Sequence, residues 1–159
     1  MGRVGLVRTL KGVVVFIALI VSLFYCFIFP QMIQEMGWQN ANLAWLVEPS
    51  IAAVSVSVIP MAVALVLFWM ICTEIGRDNS FCHKNAKLLC GIGFCALIDT
   101  GYCAVGTVTL CFLVQIHVSI LLLGITASVA GTAIALAAFL LSHLVLKAAD
   151  LKSENDLTI

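Results

Sequence analysis

One acid in this sequence stands where chemistry would be least expected. Asp99 lies within a long apolar run from about Lys87 to Val114. An ionisable group at membrane depth is costly, and by default it marks a site for protons, ions or substrate. It sits about 12 residues from the basic end of its run, or about 18 Å at 1.5 Å per residue. The same count brings Ser22, Ser57, Pro60 and the Ala130–Thr132 stretch to a similar depth. Pro60 lacks an N–H and so frees the carbonyl of Val56. Asp99, Ser57, Pro60 and Thr132 are therefore the candidate binding residues of a proton- or cation-responsive layer. The plainer alternative is a protonated Asp99, bonded to a hydroxyl or to the opened backbone, that only fixes helix register.

Other reactive groups point to less. There are seven cysteines, an odd number without any C-x-x-C pair, which argues against a thiol oxidoreductase. Most fall in apolar runs, where cysteine behaves as a small hydrophobe. Cys26 and Cys111 reach the same end of the molecule and are the pair to check for a disulfide. Cys72, Cys82, His83 and Cys90 cluster near the other end, but not at zinc-ligand spacing. His117 and His143 read as interfacial polar residues. No paired carboxylates, Ser-His-Asp set or phosphate loop is present. The expectation is a non-enzyme with no metal and no cofactor.

These residues must be held by something hydrophobic. Of 159 residues, 63% are apolar and only 10% are charged, against roughly 25% charged in a soluble domain. Mean hydropathy is +1.17. A domain of this size cannot hide that much apolar surface in one core. The composition excludes a soluble globular domain, a disordered chain and a direct nucleic-acid binder.

The lipid bilayer is its first partner. Four runs are long enough to cross it as helices of about 20 residues. They predict one all-α polytopic membrane domain with helices over about 12–33, 50–73, 86–114 and 119–147, arranged as an up-down bundle, and a short tail over 148–159. None of the runs alternates with the period of two that a β-barrel needs. The first run has a basic start, but it is longer than a signal core and Pro30-Gln31-Met32 is no cleavage site. It reads as retained.

Orientation follows from charge. With four spans, all eight Lys and Arg (Arg3, Arg8, Lys11, Arg77, Lys84, Lys87, Lys147, Lys152) fall on one side. The positive-inside rule makes that side cytoplasmic and puts both termini inside. The formal net charge of zero thus conceals a separation. Five acids join the basic residues inside, two (Glu35, Glu48) lie outside, and Asp99 lies between. In the fourth run, Gly124, Ser128 and Thr132 form one small-residue series, and Ala127, Gly131 and Ala135 form another. Both allow close helix approach. Packing within the chain is the ordinary reading, and a homodimer seam is the sharper one.

The tail ends KAADLKSENDLTI, and loop two reads IGRDNSFCHKNAKLL. Ser80 is placed to cap the third helix. The ENDLTI ending with its preceding KAADLKS resembles the YoaS-like family of small bacterial membrane proteins of unknown function. The loop, with Asn85 and Leu88, is similar to that family's entry into its third helix. Length, four spans and the tail agree, so the resemblance covers nearly the whole chain. It implies no activity. It implies that the cytoplasmic motifs matter most, and that a small helix-turn-helix regulator is the partner to expect. The interaction residues would be Ser80, Phe81, Asn85, Glu154, Asn155, Asp156, Leu157 and Ile159.

Two functions follow as expectations for a multi-pass protein of the bacterial inner membrane. The first is a regulatory protein offering residues 76–87 and 151–159 to a cytoplasmic partner. The second is a small transporter or proton-coupled channel built on Asp99.

Overall fold

The computed structural model describes residues 3–39, 44–77, 81–114 and 118–156. These residues are helical almost throughout: α1 (Arg3–Leu23), α2 (Phe29–Gln39), α3 (Ala44–Gly76), α4 (His83–Val114) and α5 (Val118–Asp156). A π-helical turn, Phe24–Ile28, joins α1 to α2. Four helical stretches are long and apolar enough to cross a membrane: Val7–Glu35, Ala44–Gly76, His83–Phe112 and Leu121–Glu154. Helix is what apolar chain must form in lipid, where every backbone N–H and C=O needs a partner within the segment.

The irregular turn has a local cause. Pro30 follows it directly, and a proline ring clashes with the carbonyl four residues earlier, here that of Cys26. Widening the preceding turn to an i→i−5 pattern relieves that crowding, and the Phe29 N–H accordingly bonds the Phe24 carbonyl. In α3, Pro49 and Pro60 both lie inside the helix. Pro49 frees only the Trp45 carbonyl in the first turn, whereas Pro60 opens the backbone in mid-span.

Contacts of more than marginal extent join only neighbours in chain order: the α1–α2 rod with α3, α3 with α4, and α4 with α5. In each pair, residue numbers rise along one helix as they fall along the other. The rod meets α3 through Val7 at Gly76, Lys11 at Trp69 and Tyr25 at Ser57. The next pair meets through Tyr102 at Ala53 and Lys84 at Glu74. A closed ring of four would also seat the rod against α5. The described residues instead form a row, in which α5 packs extensively only on α4.

The α4–α5 interface is the largest. The inward positions of α5 are Gly124, Ser128, Gly131, Ala135, Ala138, Ser142, Val145 and Ala149, alternating four and three apart. That spacing is the seam of a left-handed helix pair crossing near +20°. Between apolar helices in lipid, packing rather than water expulsion drives association, so small residues matter. Gly124 rests on Thr107 and Gly131 on Thr100, each so closely that any Cβ would overlap the threonine. Gly93 takes the Phe139 ring in the same way, 2.8 Å from where a Cβ would stand. Thus the small-residue face is covered by α4 within the chain.

Burial is uneven along the helices. Val14, Ile71, Cys72, Glu74, Asn85, Ala86 and Ala149 are all buried, and all lie toward the end that carries the lysines and arginines. The helices converge there and leave their flanks, with residues such as Phe16, Ile59, Ile98 and Leu140, facing outward. α5 also continues past Leu146 through most of the expected tail. Ala148, Ala149, Leu151 and Lys152 are good helix formers, and Ala149 is only 5% exposed, so packing carries the helix outward.

Candidate functional site

A polar layer crosses three helices near mid-span. The π turn carries Tyr25, whose hydroxyl lies 2.9 Å from Ser57 Oγ of α3. Ser57 donates its proton to the Val54 carbonyl at 3.0 Å, so the phenol is the donor in the Tyr25–Ser57 bond. Asp99 and Cys103 of α4 lie close enough to act electrostatically on Tyr25. Asp99 is half-buried. Among the described residues no side-chain hydrogen bond or ion pair engages its carboxyl. One turn further along α4, the Tyr102 hydroxyl donates to the Ala53 carbonyl at 2.8 Å.

Of the four nominated layer residues, Ser57 bonds Tyr25 and Asp99 lies within electrostatic range of it. Pro60 stands one turn from Ser57 on α3. Thr132 does not join them. It is exposed on α5 and donates to the Ser128 carbonyl of its own helix at 2.8 Å, with α4 between it and Tyr25. Of the packing residues, Gly124, Ser128 and Gly131 lie on the seam, and Thr132 points away from it.

Sequence reasoning missed Tyr25 and Tyr102. The signal was present, since a tyrosine in an apolar span must find a partner for its hydroxyl. What was missing was which helix would supply that partner.

The second polar region closes the basic end. Glu74 is 8% exposed; its carboxylate accepts from Lys84 Nζ at 2.6 Å and stands 4.0 Å from the Arg77 guanidinium. Beside it Lys11 lies 5.0 Å over the Trp69 ring, a cation–π contact between α1 and α3. On the α4–α5 side, Ser142 donates to the Ala86 carbonyl at 2.7 Å, and His83 Nε2 stands 3.5 Å from Asp150. All four spanning segments are therefore tied at this end by polar contacts or close packing.

The interaction residues divide. Phe81 is 56% exposed and Glu154 is exposed. Asn85 is only 2% exposed, because α4 turns it into the convergence of helices, so a partner could not touch it. Asn155 and Asp156 continue the α5 backbone, and their side chains lie outside the described residues, as do Ser80, Leu157 and Ile159. All seven cysteines are free thiols, with Cys72 fully buried and Cys26 and Cys111 exposed.

No solved structure matches the chain. Over 152 residues it is 26% identical to the uncharacterized membrane protein YoaS of Bacillus subtilis, an alignment spanning 94% of this chain and 95% of that protein. The resemblance seen in the tail and loop two therefore extends along almost the entire length. Residues 31–159 match the family described as protein of unknown function DUF2975. That match takes in the spans that carry Ser57 and Asp99 and the α3, α4 and α5 parts of the converged end, and the chain belongs to this family.

Proposed function

We propose that this protein is a non-enzymatic regulatory membrane protein that holds a soluble partner at the cytoplasmic face of the bacterial inner membrane. In this reading the four spans run up and down with both termini inside, which the one-sided distribution of Lys and Arg supports. The observation that carries the reading is the construction of the basic end. Burial concentrates there, and α5 runs beyond Leu146 to Asp156. Those ten residues extend about 15 Å past the apolar segment at 1.5 Å per residue. A braced, projecting helix is a rigid docking element, whereas a tail needed only for solvation could remain unpacked. Phe81, Leu151 and Glu154 offer an apolar and acidic surface, with Asn85 serving inside as support. A small helix-turn-helix regulator remains the partner class to test.

Crosslinking tests this directly. A photoreactive residue at Leu151, which is 65% exposed, should give a discrete adduct with a soluble protein in living cells. Deleting residues 154–159 should abolish recovery of that protein. Undiminished recovery after deletion, or no adduct from Leu151, overturns the reading.

A second reading is favoured by one specific observation. A π turn, an internal proline and the single mid-span acid converge at Tyr25, Ser57 and Asp99, and π turns recur at functional sites. We infer from this a proton-coupled passage, used either by the monomer or by a homodimer. Proteoliposomes should show proton-dependent flux that Asp99→Asn removes. Equal flux in the variant and the parent refutes it.

A further inference from the structure

Away from the basic end, α2 and α3 cross where Gly37 meets the Val47 side chain so closely that no Cβ would fit at position 37. Beyond this crossing they flank an open cleft of about 550 Å³, lined among the described residues chiefly by Gln34, Trp38, Trp45, Val47 and Glu48. That volume falls within the roughly 300–1,000 Å³ typical of small-molecule sites. Gln34 and Trp38 are one turn apart on α2, and Trp45 and Glu48 are one turn apart on α3, so each helix turns one face into the cleft.

Among the described residues the chemistry of the lining is one-sided. It offers two indole faces, a carboxylate and a carboxamide. The stretch from Gln31 to Pro49 contains two acids and no Lys or Arg. An anion would meet Glu48 with no cation to offset it. A neutral apolar ligand would strip water from that carboxylate without replacing its hydrogen bonds. An organic cation satisfies both features, because indole faces attract ammonium groups and the carboxylate neutralises them. Trp38 is 90% and Trp45 65% exposed, so most of both rings is available to a ligand. We propose that this cleft binds an alkylammonium group, either of a free organic cation or of a phospholipid headgroup.

Three tryptophans make the test direct. Trp69 lies at the opposite end, so a Trp69→Phe background reports the cleft alone. Choline added to the full-length protein in detergent should change the fluorescence saturably. Its uncharged analogue, 3,3-dimethylbutan-1-ol, should not. Glu48→Gln should weaken choline binding about tenfold or more, as expected for losing a charge partner at a cation–aromatic site. Glu35→Gln, outside the lining, should leave it unchanged. If the ligand is a headgroup, nanodiscs of phosphatidylethanolamine should shift the same fluorescence relative to phosphatidylglycerol, and the shift should be lost in Glu48→Gln. A response to choline alone assigns a free cation, and a response to the lipid alone assigns a headgroup. No response to either, equal binding of the uncharged analogue, or equal loss in Glu35→Gln overturns the proposal.

Discussion

Gly131 offers the sharpest test of how the helices are held. A Cβ at this position would overlap the Thr100 hydroxyl and come within 3.3 Å of the Thr100 Cβ. Threonine is branched at Cβ and stiff at χ1, so rotation replaces the hydroxyl with a methyl instead of clearing the space. Gly131→Ala must therefore push α5 off α4, and overpacking of this kind costs about 1–3 kcal/mol. The helix preference of alanine over glycine returns roughly 0.5–1 kcal/mol, leaving a net loss of up to about 2.5 kcal/mol. Gly101→Ala is the internal control. Nothing lies within 4 Å of its Cβ position, so that variant should be neutral or slightly stabilised. The assay is reversible unfolding in mixed micelles followed by circular dichroism. Thr100→Ala added to Gly131→Ala should restore most of the loss, because it removes the γ atoms in the way. A Gly131→Ala variant as stable as Gly101→Ala, or one that Thr100→Ala does not rescue, would refute the seam as the source of stability.

Two further outcomes follow from the polar contacts. Tyr25→Phe should destabilise the α1–α3 pairing by about 0.6 kcal/mol and at most about 1.7 kcal/mol, the range for hydrogen bonds between membrane helices. A double-mutant cycle with Ser57→Ala should place that energy in the coupling, and zero coupling would exclude the bond. Lys84→Ala should lower the thermal midpoint by leaving Glu74 only the more distant Arg77. Adding Glu74→Gln should recover most of the loss, since an unpaired buried charge costs more than an absent pair. A double variant no better than Lys84→Ala would show that the aliphatic stem of Lys84, not its charge, matters there.

Much of this architecture is visible in the residues themselves. The four spans follow from length and hydropathy, and the π turn has a cause in Pro30 that adjacent residues supply. The small-residue series on α5 also carries information about packing. Two series were equally plausible there, however, and the helix uses parts of both: Gly124 and Ser128 from one, Gly131 and Ala135 from the other. A spacing of four alone drifts around a helix, whereas alternating three and four keeps a stripe facing one partner. Thr132 fell off the seam for that reason. Depth counting brought Ser57 and Asp99 to one level. It could not bring Tyr25 into the group, because depth is a single coordinate and says nothing about which helix faces which. Asn85 shows the same limit from the other side. A polar residue in a loop motif at the basic end reads as surface until the convergence of the helices buries it.

What the sequence alone determined is the set of quantities that depend only on position along the chain: that there are helices, how many can cross a bilayer, and how far along its span each polar group lies. Lipid enforces these, because a backbone without water must close its hydrogen bonds within the segment. What only the tertiary structure decided is rotation and partnership. It aligned the helices as a row, turned Tyr25 toward Ser57, drew the basic end tight around Glu74, and left a cleft between Trp38 and Trp45. Those choices rest on side-chain shape and on contacts between distant residues. Nearly uniform hydropathy around α3, α4 and α5 does not encode them.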